Sequence, residues 1–230
     1  MDDSPVRVQV ELKNKCKILK KVLSEIPVDS LNKRSNNHRK NLIELLEHFG
    51  PQDVVRQGVS HAFLTKLINC FPDILRLQFQ GVCTIDNFDP VKIQKQIGEK
   101  IPWFSIINLS TRENLDNGHI GHFVLFLYKK NIFNIFNYMY VDPLGNRPPE
   151  DIVNQVEKLG LNKEKLITNQ TKIQSSHSNY CGLYNICFIL FLIFHNHSLH
   201  VLQNFFIEND VDNNNESRAF KYIQRCINQF

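Results

Sequence analysis

With 230 residues, 42% of them hydrophobic and 22% charged, the chain has the make-up of an ordinary soluble globular protein with room for one substantial core. The formal net charge of +4 permits contact with acidic surfaces without demanding it, and the longest apolar run, residues 187–194, is far too short to cross a bilayer. Six cysteines (Cys16, Cys70, Cys83, Cys181, Cys187 and Cys226) occur without a CxxC pair or metal-type spacing. No signal-peptide pattern opens the chain, so the expectation is free thiols in a reducing intracellular setting, with no metal or cofactor.

The first part of the chain reads as helices. Leu12, Cys16, Leu19, Leu23 and Ile26 recur in alternating steps of four and three, which gives one apolar stripe with the lysines mostly off it. After a polar stretch over residues 32–40, Leu42, Ile43, Leu45, Leu46 and Phe49 predict a second short helix, ended by Gly50 and Pro51. A third helix is predicted to include Ala62, Phe63, Leu67 and Ile68 and to stop before Pro72. Together they read as a helical N-terminal extension, residues 1–75, ahead of a main domain over residues 76–230. Lys13, Lys15, Lys17, Lys20 and Lys21, followed by Lys33, Arg34, Arg39 and Lys40, read most simply as a solvated helix face. Holding DNA is the functional alternative for the same cluster.

The texture then changes. Residues 103–109, 123–128 and 132–141 are rich in aromatic and β-branched side chains and predict strands. Residues 151–159 suit a helix on Ile152, Val156 and Leu159, and residues 182–195 are apolar almost all round, which predicts a helix buried on every side. The expected fold class is therefore α+β, a mixed sheet packed around one central buried helix.

Two constellations carry chemistry. Strands 123–128 and 132–141 are separated by Lys129, Lys130 and Asn131, a length that suits a tight antiparallel turn. Such a pairing puts His122, at the start of one strand, opposite the stretch from Met139 to Asp142 at the end of the other. An imidazole held in one tautomer by a carboxylate is what activation of a nucleophile needs. The second constellation runs from Gln174 to Cys181-Gly182. A cysteine that opens an apolar helix has its sulfur at the unsatisfied N–H groups and the positive end of the helix dipole, which favours the thiolate. Gly182 is expected to let a substrate backbone approach. Gln174, seven positions before Cys181, can bring a side-chain amide beside the sulfur, where it would stabilise an oxyanion.

Gly121-His122-Phe123, then Val141-Asp142-Pro-Leu-Gly145, then Gln174-x6-Cys181-Gly182 resemble the adenovirus proteinase (adenain) family, with its relatives in polinton-type transposons and virophages. Phe79-Gln-Gly81-Val82 and Trp103-Phe-Ser-Ile-Ile-Asn108 sit where that family has a similar turn and strand, so the resemblance covers roughly residues 76–195. It implies a fold of the adenain and ubiquitin-like-protease type. It also implies a cysteine endopeptidase with Cys181 as nucleophile, His122 as general base, Asp142 as its orienter and Gln174 as oxyanion donor. The implied partners are protein substrates, namely capsid and core precursors cut at glycine-containing sites during particle maturation. An activating peptide is a further partner the family admits, with DNA a possible partner for the N-terminal lysines and no membrane expected from the short apolar run, and the implied location is inside the host cell and in the virion. Phe123 replaces the family's usual Trp. No cysteine lies between Cys83 and Cys181 to take an activating peptide as a disulfide, and residues 1–75 have no counterpart there.

Taken singly, each residue has a plainer reading. His122 can be an ordinary strand-end histidine, Asp142-Pro143 a turn opener, and Cys181 a buried structural thiol. His119, three residues before His122, is the rival base, and Cys187 reads as core. Neither His119, His122, His177 and Cys181 nor His195, His197 and His200 has a zinc spacing; the latter three read as the polar end of the central helix. Asn213-Asn-Asn215 reads as an exposed loop. Two further functions remain: a protease removing ubiquitin-like modifiers from host proteins, whose Gln and Cys are usually one position closer, and a non-enzymatic binding module.

Overall fold

The computed structural model describes residues 59–69, 71, 78–119, 121–130, 135–176, 178–207 and 214–229. The two helices expected around Leu12–Ile26 and Leu42–Phe49, the N-terminal lysine cluster, Cys16 and Cys70 lie outside them. The first described helix, α1 (His61–Asn69), buries Phe63, Leu64, Leu67 and Ile68. Their spacing of one, three and one puts all four on one face, and that face packs into the same core as the helix that begins at Cys181. Each such side chain contributes roughly 1.5–3 kcal/mol when fully buried, so α1 is tied firmly to its neighbours.

A five-stranded mixed sheet follows, in spatial order β1 (Phe79–Thr84), β2 (Trp103–Asn108), β3 (Phe123–Lys130), β4 (Phe136–Val141) and β5 (Ile167–Thr168). The two outer pairs are parallel and the inner three strands antiparallel. Period-two alternation divides the side chains between two cores. Phe104, Ile106, Phe123, Leu125, Leu127, Met139 and Val141 face the layer containing the cysteine helix. Trp103, Ile107, Val124, Phe126, Tyr128, Tyr138 and Tyr140 face the other, which includes Phe88, Ile152 and Val156. With helices on both faces the central strands read as continuous apolar runs instead of alternating ones. Of the connecting helices, α2 (Pro90–Ile97) is started by Asp89, whose carboxylate accepts the Lys92 N–H. Short helix α3 (Arg112–Asp116) lies between β2 and β3, and α4 (Glu150–Lys158) between β4 and β5.

The predicted buried helix is α5 (Cys181–Ile189), all nine residues of which are buried. It continues into a π-helical turn, Leu190–Phe194, where the His195 N–H reaches back to the Leu190 carbonyl. Helices α6 (Leu199–Phe205) and α7 (Asn214–Gln229) close the core around it. The expected mixed sheet around a central buried helix is thus the observed architecture. Among the described residues no helix is long and apolar enough to cross a membrane.

The β3–β4 connection differs from the expected tight turn. Lys129 and Lys130 belong to β3 and pair with Asn137 and Phe136, so β3 runs further and β4 starts later than predicted. Local sequence favoured strand up to Val141 but did not fix the register, which cross-strand packing chose. Residue 215 is a second difference. Asn215, expected in an exposed loop, is fully buried near the start of α7, where its carboxamide donates to the carbonyls of Ile173 and Ile207. Asn213 lies outside the described residues.

Candidate active site

Adjacent antiparallel strands bring the start of β3 beside the end of β4. His122 lies immediately before β3 and Asp142 immediately after β4, and the His122 Nε2 is 2.6 Å from the Asp142 Oδ1. The main chain holds His122 from behind, since its carbonyl accepts the Leu109 N–H at 2.8 Å. The Asp142 side chain has no solvent exposure, while that of His122 retains 21%. Besides the imidazole, Asp142 Oδ1 accepts the Leu144 N–H at 2.7 Å, and Oδ2 is buried without a partner. Such a carboxylate is well placed to hold the ring and to stabilise its cationic form.

Cys181 is the first residue of α5, and Tyr180 offers no side-chain cap. The helix start therefore presents unpaired N–H groups at the sulfur, and the Phe123 N–H donates to Sγ at 3.5 Å. Burial works to lower the pKa of His122, but hydrogen bonds to Asp142 and to the Cys181 sulfur, with the charges of both, outweigh it and raise it to about 9. The acid, the imidazole and the thiol thus form one connected chain.

Gln174 shares the cleft of about 390 Å³ that holds His122 and Cys181. Its main chain is pinned to the acid's loop, because the N–H groups of Ile173 and Gln174 both donate to the Pro143 carbonyl, at 2.9 and 2.8 Å. Its Nε2 donates to the Ser178 carbonyl at 2.5 Å, which fixes the carboxamide and leaves its second N–H free to point elsewhere. The structure therefore brings His122, Asp142, Gln174 and Cys181 together at one end of the central helix. His119 lines the same cleft, but the imidazole bonded to Asp142 is that of His122.

Several residues at the site were not singled out from the sequence. Val59, Ser60 and His61 form one wall of the cleft, and the His61 ring stands edge-on to Phe123 with centroids 5.2 Å apart. Gly182 accordingly has a different role from the one expected. A Cβ there would lie 2.0 Å from the Val59 Cγ2, so the missing side chain makes room for this wall and not for a substrate. Gly121 does the same for Asn108, whose carboxamide would be 1.8 Å from an added Cβ. No sequence signal could have announced these contacts, since each joins residues far apart in the chain. Cys187 is core, as expected, and burial holds its thiol well above the usual value. Among the described residues no group of His, Cys, Asp and Glu side chains is arranged to hold a metal ion.

No protein-family model and no curated protein matches the chain by sequence. Among solved structures it is similar to the ASFV pS273R protease at 14% identity and a TM-score of 0.49, over 98% of this chain and 91% of that one. A selenomethionine form of the same protease aligns at 14% identity and a TM-score of 0.46, over 95% and 89%. At such identities and scores, the reading of the site rests on the site's own geometry.

Proposed function

We propose that this chain is a cysteine endopeptidase in which Cys181 is the nucleophile, His122 the general base, Asp142 its orienter and Gln174 an oxyanion donor. The observation that carries the reading is the connected line from a buried carboxylate, through an imidazole 2.6 Å away, to a thiol at the first turn of a buried helix, all beside one cleft. In this mechanism His122 takes the thiol proton and the Sγ electron pair attacks the scissile carbonyl carbon. The carbonyl electrons move to oxygen, where the free Gln174 N–H and the N–H groups of the first α5 turn donate to the oxyanion. Collapse breaks the C–N bond, and His122 gives its proton to the departing amine. Water, deprotonated by His122, then attacks the thioester and releases the acid and the thiol.

The motifs around His122, Asp142, Gln174 and Cys181 resemble the adenovirus proteinase family, and from this we infer the substrate class. The proposed substrates are viral or virus-like structural precursors, cut at glycine-containing sites during particle maturation. The test is cleavage-site profiling of a diverse peptide library with the purified protein and its Cys181→Ala variant. Cuts that cluster near glycine and vanish in the variant are the expected result. Cleavage that persists in Cys181→Ala would overturn the assignment. Labelling of Cys181 by ubiquitin-like probes, with no peptide cut, would transfer the chemistry to a protease for ubiquitin-like modifiers.

A further inference from the structure

Strand β5 pairs with β4 only through Ile167 with Met139 and Thr168 with Tyr140. One residue beyond the ladder, Asn169 continues it with its side chain. Its Oδ1 accepts the Asp142 N–H at 2.7 Å, and its Nδ2 donates to the Asp142 carbonyl at 2.6 Å and to the Thr171 carbonyl at 3.2 Å. Both Nδ2 partners are carbonyl acceptors and the Oδ1 partner is an N–H donor, so only one orientation of the carboxamide satisfies all three. Asn169 is 1% exposed, so these groups have no water to fall back on.

We propose that Asn169 is a positioning residue of the active site, fixing the backbone of Asp142 so that its carboxylate meets His122 and fastening the acid's loop to the segment that carries Gln174. The inference rests on the peptidase reading for its catalytic meaning, while its structural content stands apart from it. Asp142 leaves the sheet at the point where ladder bonds end, and a free strand end would let its Cα–Cβ direction drift. A clamp on both its N–H and C=O removes that freedom. Asparagine is suited to the task because aspartate lacks the donor and glutamine carries an extra methylene. The same joint is closed from the other side by Gly145, at φ 71°, whose N–H donates to the Asp142 carbonyl at 2.8 Å. An added Cβ on Gly145 would lie 2.8 Å from the Lys172 N and 3.0 Å from the Thr171 carbonyl oxygen. Asn215 provides an internal contrast: it donates to the Ile173 carbonyl at 2.9 Å, holding the Gln174 segment without touching Asp142.

The experiment is an NMR titration of the His122 imidazole in the full chain, with kcat/KM measured alongside, for wild type, Asn169→Ala and Asn215→Ala. The charged and titratable groups facing His122 are Asp142 and Cys181, with His61 and His119 on the same cleft. A loosened Asp142 should let the His122 midpoint fall by about one pH unit or more in Asn169→Ala. Asn215→Ala should keep the wild-type midpoint even where its rate drops. An unchanged midpoint in a folded Asn169→Ala protein would overturn the proposal. Should that variant fail to fold, Gly145→Ala decides the matter by the same midpoint, since it wedges the joint open with Asn169 intact. A wild type that cuts no peptide, yet shows the Asn169-dependent midpoint, removes the peptidase reading and leaves the positioning role standing.

Discussion

The two ends of the buried central helix are built for opposite purposes. At the N-terminal end, Cys181 meets uncapped N–H groups, an open cleft, and polar atoms left without partners, among them Gln174 Oε1 and Asp142 Oδ2. At the C-terminal end the carbonyls are closed off. Backbone N–H groups of His195 and His197 take those of Leu190 and Phe191, and the Lys129 ammonium donates to the Leu192 carbonyl, to Asn196 Oδ1 at 2.9 Å and to the His197 carbonyl at 3.4 Å. Burial brings the Lys129 pKa down to about 8, which still leaves the ammonium the main form at neutral pH. The end proposed to do chemistry keeps its backbone hydrogen-bonding capacity unspent, while the other end spends its backbone capacity on holding the fold.

That contrast can be broken from either side. The largest effect is expected from His122→Ala, which should lower kcat/KM by between about a hundredfold and ten-thousandfold, and should also lower the melting temperature at neutral pH because the buried Asp142 carboxylate loses its partner. Activity within tenfold of wild type would remove His122 as the base. Gln174→Ala should come next, with about a hundred- to thousandfold loss in kcat and a smaller change in KM. Loss confined to KM would instead make Gln174 a ground-state contact.

At the closed end, Lys129→Met should cost about 1–3 kcal/mol in chemical denaturation, because the Leu192 carbonyl is left buried and unpaired, and kcat/KM of the folded fraction should hold. Gly182→Ala joins the two regions. It forces Val59 away from α5 and should cost about 1–3 kcal/mol by overpacking, together with a change in KM from the displaced cleft wall. An alanine accepted without loss of stability would show that the wall moves freely.

The smallest effect, and the most diagnostic, is in the pH dependence. The folded-state pKa of His122 is raised from 6.5 to about 9, so the stabilisation from its partners is complete below 6.5 and is lost as pH rises through 9. Since the cationic imidazole, having taken the thiol proton, is the form that protonates the departing amine, the rate should fall on the alkaline side with a midpoint near 9, and the matching loss of stability should be absent from His122→Ala. An alkaline midpoint near 6.5 would mean that the imidazole is not held by Asp142 as described.

Much of this site was legible in the chain, and the misses share one cause. His122 and Asp142 could be placed at one sheet edge because two apolar stretches in sequence have to pair, even though the strand ends between them lie elsewhere than local pattern predicts. Cys181 could be placed at a helix start because the apolar run begins at that residue. Asn169, Asn215, Val59 and His61 gave no such signal. An asparagine that clamps another segment's backbone has the same letter and neighbours as one in a loop, and Asn215 is such a case.

The sequence by itself determined the alternation of helix and strand, the burial of α5 and the order of His122, Asp142, Gln174 and Cys181, because these depend on periodicity and on short runs of residue type. Only the tertiary structure decided the β3–β4 register, the wall that Val59 and His61 lay against Gly182, and the clamp of Asn169 on Asp142. Those choices depend on which distant groups fill a space or satisfy a buried hydrogen bond, and that partner is not written near either residue.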